Sequence, residues 1–242
     1  AKPTLWMAGD SIMQSYAPGD KPVTGWGEML HTLAHGDAVC QTAHRADCPF
    51  PQEMRYELPG LVIDNCAMAG RSSKTFREEG RLDDIAAHIS PGDLLVVSFG
   101  HNDANRAKAE RYVPADAFGE SLRPFWDAAR SHGAVCIFAS PVAMREFDEA
   151  GVCYPSFDAY REAMRAFAAE VGAPFIDLGA ATAAANTAFG AERCKARYMW
   201  VGAKQDNAHQ QNAGACRTAQ AFVQQLLQDT TPALDVLRAN FK

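Results

Sequence analysis

No two of the seven cysteines stand in a C-x-x-C pair, so a zinc clip or a thioredoxin-like dithiol has no support. No apolar run reaches the roughly 18 residues that a membrane-spanning helix requires. Basic residues are in the minority, with 23 Lys and Arg against 29 Asp and Glu and a net charge of -6. The basic surface that holds a phosphate backbone is therefore missing, and nucleic acid is not an expected partner. Internal repeats, low-complexity tracts and Pro/Gly/Ser-rich linkers are absent too, so residues 1–242 are expected to form a single domain. No methionine and no charged-then-apolar leader stand at Ala1; a removed signal peptide and a trimmed chain would both account for this. Nothing in the sequence specifies an oligomeric state.

What is present is ordinary in bulk. The 242 residues are 48% hydrophobic and 21% charged, long and apolar enough for a full core. The cysteines stand at 40, 48, 66, 136, 153, 194 and 216, many for a reduced cytosolic enzyme. Cys136 lies in the apolar run "AVCIFAS" and reads as a core thiol. One or two disulfides are expected among Cys40, Cys48, Cys153, Cys194 and Cys216 if the protein is exported; the pairing is not readable.

Short apolar runs alternate with helical patterns. "TLWMA" (4–8), "LVIDNCA" (61–67), "DLLVVSFG" (93–100), "AVCIFAS" (134–140) and "PFIDL" (174–178) are apolar on both faces, as strands covered by helices on both sides must be. Between and around them "GWGEMLHTLAH", "EGRLDDIAAHI", "PADAFGESLRPFWDAARSH" and "FDAYREAMRAFAAEVG" carry apolar residues at three- and four-residue spacings. The expected fold is α/β, three layers around a central, mainly parallel five-stranded sheet. Residues 37–60 form the longest irregular stretch and read as a wall or lid.

Ligands bind at the carboxyl ends of such strands. Those ends carry Gly9-Asp10-Ser11, Asn65 through Ser73, Gly100-His101-Asn102-Asp103 and Ser140-Pro141, so polar residues gather where a site belongs. A serine nucleophile needs a base, and histidine suits the task near neutrality. His31 and His35 have helical i, i+4 spacing, but no third metal ligand is evident. His88 and His132 stand near helix ends, where positive charge is favoured, and His44 has nothing nearby to orient it. His209 differs: in the polar loop "KQDNAHQQNAGA" it follows Asp206 by three residues. That spacing lets a carboxylate hold one imidazole nitrogen while the other faces a nucleophile. A helix-capping aspartate beside a solvent-exposed histidine is the competing reading. Gly70 and Asn102, both just past strands, can supply a backbone N–H and a side-chain amide to a developing oxyanion; a turn glycine and an Asx-turn asparagine are the plainer alternatives.

The ordered set of Gly-Asp-Ser, strand-end glycine, Gly-x-Asn-Asp and late Asp-x-x-His resembles the SGNH (GDSL-type) hydrolase superfamily, whose motif blocks cover the chain from Gly9 to His209. The resemblance implies the flavodoxin-like architecture of that superfamily. It also implies Ser11 as nucleophile, His209 as base, Asp206 as its orienting acid, and an oxyanion hole of the Ser11 N–H, Gly70 and Asn102. No G-x-S-x-G occurs, so the α/β-hydrolase elbow does not apply. "NCAMAGRSSKTF", "SFGHNDA", "SPVAMREFDEAG" and "QDNAHQQNAGA" further resemble the rhamnogalacturonan acetylesterases, carbohydrate esterase family twelve. That implies removal of O-acetyl groups from pectic or other plant polysaccharide, without metal or organic cofactor. Members of that group usually carry threonine before the histidine and an aromatic after it, where this chain has Ala208 and Gln210. The wall beside His209 is therefore expected to differ.

Arg71, Ser72, Ser73 and His101 are candidate substrate contacts, with an ion pair as the alternative for Arg71 and simple packing over the loop as the alternative for His101. Trp26, Trp200 and Tyr198 are candidate stacking platforms, though a buried tryptophan suits Trp26 better. A polysaccharide substrate and the cysteine count together point to an extracellular or periplasmic location. Rival readings are a lipid or thioester hydrolase on the same scaffold, a non-catalytic carbohydrate-binding protein and a sugar O-acetyltransferase. The polar loops oppose an acyl channel, the complete Ser/His/Asp set opposes loss of turnover, and no donor domain supports the transferase.

Overall fold

In the computed structural model, which describes residues 1–35 and 40–242, the chain runs β1 (Thr4–Gly9), α1 (Trp26–Met29), β2 (Gln41–Ala43), β3 (Met54–Glu57), β4 (Val62–Asn65), α2 (Ser73–Glu78), α3 (Arg81–His88) and β5 (Leu94–Ser98). It continues through α4 (Ala115–Ser131), β6 (Val135–Ala139), α5 (Asp158–Val171), β7 (Phe175–Ile176) and α6 (Leu178–Phe189). It closes with β8 (Tyr198–Val201), β9 (Lys204–Gln210), α7 (Asn212–Gln228) and α8 (Asp235–Arg238).

All five expected strands form, and β4, β1, β5, β6 and β7 lie side by side in parallel. Among the described residues the sheet nevertheless has seven strands, in the order β2-β3-β4-β1-β5-β6-β7, because the stretch read as irregular contributes β2 and β3 as an antiparallel extension. The alternation that betrays a strand is weak there: β2 is Gln-Thr-Ala and fully exposed. Residues 37–39 of that stretch lie outside the described residues.

Burial on both faces follows from the strand period of two. Leu5 and Met7 turn to one face, with Ile63, Val96 and Ile137, under Trp26 and the α7 residues Phe222 and Leu226. Trp6 and Ala8 turn to the other, with Val97 and Phe138, under Phe76, Phe118, Phe125 and Phe167. Leu94 through Val97 are at most 1% exposed, as expected of a central strand covered twice.

One helical expectation needs correction. "GWGEMLHTLAH" makes only a four-residue α-turn followed by a 3-10 turn, Leu30–Leu33. Its amino end is pinned to the turn after β1, Trp26 N–H donating to the Ile12 carbonyl at 2.9 Å and Gly27 N–H to that of Met13 at 3.1 Å. A Cβ on Gly25 would stand 2.0 Å from the Gln14 carbonyl oxygen, so only glycine permits this approach. Helix α6 has no counterpart among the expected helices because its alanine-rich sequence has no apolar stripe; Asp177 starts it by accepting from the Ala180 N–H at 3.1 Å.

All seven cysteines are free thiols, so the expected disulfides do not form. The thiols stand in separate surroundings: Cys48 beside Asp84, Cys153 donating to the Met144 carbonyl, Cys194 to that of Asn186, Cys216 to Asn212. Burial pushes the Cys48 thiol up to about 11 and raises Cys153, Cys194 and Cys216 as well, which leaves little thiolate for reaction near neutrality. Among the described residues no helix is long and apolar enough to cross a membrane.

Candidate active site

The order β4-β1-β5-β6-β7 places the reversal of strand order at β1 and β5, where a doubly wound sheet opens a crevice at the carboxyl ends. Ser11 follows β1 and Asn102 follows β5, so both stand at that crevice. The turn after β1 is closed by its own groups. The Asp10 carbonyl accepts from the Met13 and Gln14 N–H groups at 3.2 and 3.1 Å, and its Oδ1 accepts from the Ile12 N–H at 3.0 Å. Tyr16 Oη donates to the Ser11 carbonyl at 2.7 Å. Ser11 is held by backbone bonding rather than by the packing of its own side chain.

His209 arrives by a route that its polar surroundings do not announce. The polar "loop" is the hairpin β8–β9, and its register jumps: Tyr198 faces Gln210 while Met199 faces Asp206. Residues 207–209 form the bulge between those pairs. Asp206 closes the bulge on itself, Oδ1 accepting from the Ala208 and His209 N–H groups at 2.8 and 3.0 Å. Its other oxygen stands 2.7 Å from His209 Nδ1, and His209 Nε2 stands 3.0 Å from Ser11 Oγ. Asn207 anchors the bulge from behind: its Oδ1 accepts from Trp200 Nε1 at 2.8 Å, and its carbonyl from the Arg145 N–H at 2.8 Å.

Burial pushes the Asp206 carboxyl up, but the two N–H bonds and the imidazole outweigh it and hold it below the usual carboxylate range. An ionised Asp206 accepts only, so Nδ1 carries the proton and Nε2 is left to accept from the serine hydroxyl. The arrangement can deprotonate Ser11 and stabilise the imidazolium that results.

Ser11, Ile12, Ala69, Gly70, His101, Asn102, Arg111, Met144, Phe157, Ala208 and His209 line a cavity of about 280 Å³. Gly70 adopts φ 77°, a left-handed conformation that costs glycine little. Among the described residues neither its N–H nor that of Ser11 has an intramolecular acceptor. Asn102 Nδ2 donates one hydrogen to the Arg71 carbonyl at 3.0 Å, and its Oδ1 accepts from Arg111 Nη1 at 3.1 Å. The amide is thereby fixed in orientation with one hydrogen to spare. Gly70, Asn102 and Ser11 thus border one space with three free donors.

The remaining candidates take other places. Arg71 Nε pairs with both Glu79 oxygens at 3.0 and 3.1 Å, and its Nη1 donates to the Ala69 carbonyl; it braces the loop and is not among the cavity-lining residues. Ser72 caps α2, exchanging hydrogen bonds with Thr75, and Ser73 is buried against Asp103. His101 does line the cavity, but its Nε2 donates to the Val142 carbonyl at 2.9 Å and its ring stands 4.6 Å from that of Phe157. Burial takes it down to about 4, so it is a neutral wall near pH 7. Trp26 is fully buried, Tyr198 Oη donates to the Ala143 carbonyl, and Trp200 holds Asn207; these contacts give all three structural roles. Of the two departures beside His209, Ala208 lines the cavity, whereas Gln210 is buried and donates to Thr218 on α7. His31 stacks on Tyr56, and His44, which has no orienting partner in sequence, pairs with Glu53 at 2.7 Å. Among the described residues no group of three or more His, Cys, Asp or Glu could hold a metal ion.

Sequence reasoning missed Ile12, Met144, Phe157 and Arg111. Phe157 is the one non-glycine residue with positive φ, 57°, among those described, a strained conformation of the kind that gathers at functional sites. Arg111 sits in the charge-rich run "NRAKAERY", which reads as a solvated loop. A larger cavity of about 610 Å³ lies at the amino ends of β1 and β5, lined by Thr4, Trp6, Arg45, Arg55, His88 and Asp93 among others. It contains no serine–histidine pair of the kind seen at Ser11, so size does not decide which cavity carries the chemistry.

Burial raises Asp10 to about 6 and Asp103 to about 7. An acid whose folded pKa is raised binds its proton more tightly folded than unfolded, so its penalty is absent below the unfolded value, near 4, and complete above the folded one. These two carboxyls therefore favour folding more at pH 5 than at pH 8, and together they outweigh His101, which burial keeps neutral down to about 4 and which costs stability as the unfolded imidazole charges below about pH 6.5. Asp177 works oppositely: burial raises it, but Arg161, Arg165 and the Ala180 N–H prevail and take it down to about 2, so its stabilisation is lost only below about pH 4. Tm measured by calorimetry is expected to be higher at pH 5 than at pH 8 by at least about 3 °C. A Tm that falls between pH 8 and pH 5 would contradict this account.

Residues 7–215 match the model of the GDSL-like Lipase/Acylhydrolase family. The chain is 32% identical over 242 residues to the rhamnogalacturonan acetylesterase RhgT of Bacillus subtilis (strain 168), covering 96% of this chain and 93% of that protein. Among solved structures, the protein YxiM of Bacillus subtilis superposes with a TM-score of 0.79 at 26% identity. That match covers 96% of this chain but 58% of the other. An acetylxylan esterase of Geobacillus stearothermophilus superposes with a TM-score of 0.63 at 18% identity, over 92% of this chain and 93% of its own, and shares the fold.

Proposed function

This chain belongs to the GDSL-like lipase/acylhydrolase family, and we propose from that premise that it is a serine carbohydrate esterase removing O-acetyl groups from rhamnogalacturonan. The observation that carries the proposal is the unbroken hydrogen-bond path Asp206–His209–Ser11 in a chain aligned along 96% of its length with a rhamnogalacturonan acetylesterase.

In the reaction, Ser11 Oγ attacks the acetyl carbonyl carbon as its proton passes to His209 Nε2. The oxyanion accepts from the Ser11 and Gly70 N–H groups and from Asn102 Nδ2; preorganised donors of this kind are each worth about 3–4 kcal/mol in the transition state. The C–O bond to the sugar breaks, and Nε2–H protonates the departing alkoxide. Water then attacks the acetyl-Ser11 carbonyl, giving its proton to His209, and acetate leaves as Ser11 recovers its hydrogen. Each step uses only groups of this chain and water. Ile12, Met144 and Phe157 offer apolar contact for an acetyl methyl.

The expected result is acetate release from acetylated rhamnogalacturonan at a kcat/KM at least about tenfold above that on acetylated xylan, a preference of roughly 1.4 kcal/mol. Cleavage of short synthetic esters with no release from either polymer would sink the glycan assignment while leaving the esterase chemistry. A polymer of this size is met outside the cytoplasm, which supports extracellular or periplasmic action and a part in pectin degradation. Fractionation of the source cells would test that location.

A further inference from the structure

One permanently charged side chain borders the catalytic cavity, and the reaction at Ser11 gives it no contact with substrate. Arg111 is the sole Arg or Lys among the lining residues, which include no Asp or Glu. Its guanidinium lies along the oxyanion side: Nη1 donates to Asn102 Oδ1 at 3.1 Å, and Nη2 would stand 3.5 Å from a Cβ placed on Gly70. Three other arginines near strand ends are committed to carboxylates, Arg71 to Glu79, Arg161 to Asp177 and Arg45 to Asp64 and Asp84. Among the described residues Arg111 has only Glu110, 3.6 Å away and itself 64% exposed, a geometry in which ion pairing is weak. Among the described residues its Nη2 has no hydrogen-bond acceptor.

We propose that Arg111 is a carboxylate-binding subsite that receives the uronate group of an acidic glycan whose acetylated hydroxyl is presented to Ser11. The proposal rests on the acetylesterase reading and deepens it by assigning the charge of the substrate. Guanidinium presents its N–H groups as a planar fork matched to a carboxylate, and such charge-assisted bonds are about twice as strong as neutral ones. Rhamnogalacturonan carries a carboxylate on each galacturonate, whereas the xylose backbone of acetylxylan carries none. The net charge of -6 repels a polyanion at long range, so a preference for an acidic polymer requires local recognition of this kind.

Arg111 also steadies Asn102, so the test must separate specificity from rate. Acetate release is measured on acetylated rhamnogalacturonan, on the same polymer with its carboxylates converted to methyl amides, and on 4-nitrophenyl acetate, for the native chain, Arg111→Gln and Arg111→Lys. The native chain is expected to favour the acidic polymer over the amidated one by about tenfold, mostly in KM and less so at high salt. Arg111→Gln should bring that ratio to within about twofold of unity, and Arg111→Lys should keep part of it because the charge remains. Disturbance of Asn102 alone lowers kcat on all three substrates together and leaves the polymer ratio intact. A ratio unchanged in Arg111→Gln, or a native chain indifferent to amidation, overturns the subsite. Cleavage of 4-nitrophenyl acetate by a native chain that deacetylates neither polymer overturns the glycan reading itself, and the subsite with it.

Discussion

Ser11→Ala is expected to lower kcat for acetyl release by about a million-fold, with KM little changed. The substitution removes Oγ alone. The backbone N–H of residue 11 stays in place, as do Gly70 and Asn102, so substrate binding and oxyanion support survive. A residual rate about a thousandfold above uncatalysed hydrolysis should therefore persist. The fold has little stake in the hydroxyl, whose hydrogen bond runs to His209 at 3.0 Å, while the turn is held by Asp10 and Tyr16. Steady-state acetate release and thermal melting of the variant check both halves: activity down, Tm within about 2 °C. Activity within a hundredfold of the native chain would show that Ser11 is not the nucleophile.

Asp206→Asn is expected to cost about ten-thousandfold in kcat near neutral pH. Asparagine keeps Oδ1, so the two N–H bonds from Ala208 and His209 that close the bulge can survive. What changes is the partner of His209 Nδ1. An amide NH₂ facing that nitrogen donates rather than accepts, which moves the imidazole proton to Nε2, where it can no longer take the serine hydrogen. Asp206→Ala loses the closure of the bulge as well and should lower stability by about 1–3 kcal/mol beyond the loss of activity. Melting curves and kcat on 4-nitrophenyl acetate distinguish the pair. An Asp206→Asn variant active within tenfold of the native chain would mean that His209 needs no orienting acid.

The contrast between those two variants marks where sequence reasoning was strong and where it was blind. Asp-x-x-His was legible because residues three apart meet in any tight turn. The nature of that turn was not: a bulge in a hairpin depends on the pairing of Tyr198 with Gln210 and Met199 with Asp206, which polar residues alone do not announce. Strands β1 and β4 to β7 were legible because doubly covered strands are apolar throughout. Strands β2 and β3 were not, because an exposed edge tolerates Gln-Thr-Ala. Arg71 looked like a substrate contact by its place next to Gly70, and Glu79, eight residues on, took it. Arg111 carries no signal in the sequence that sets it apart from the charges around it, and the fold brings it to the cavity.

By itself the sequence determined the sheet's five parallel strands, the positions of Gly-Asp-Ser, Gly70 and Asn102 at their ends, and the local Asp206–His209 unit. These are properties of period and short spacing, carried by a few consecutive residues. The tertiary structure decided that Ser11 meets a histidine 198 residues away, that seven cysteines remain apart, that Ser72 caps α2 while Ser73 is buried against Asp103, and that a guanidinium faces the oxyanion side. Those outcomes depend on strand order and on the register of one hairpin, because contacts between distant segments are set by how whole elements pack rather than by the pattern within any one of them.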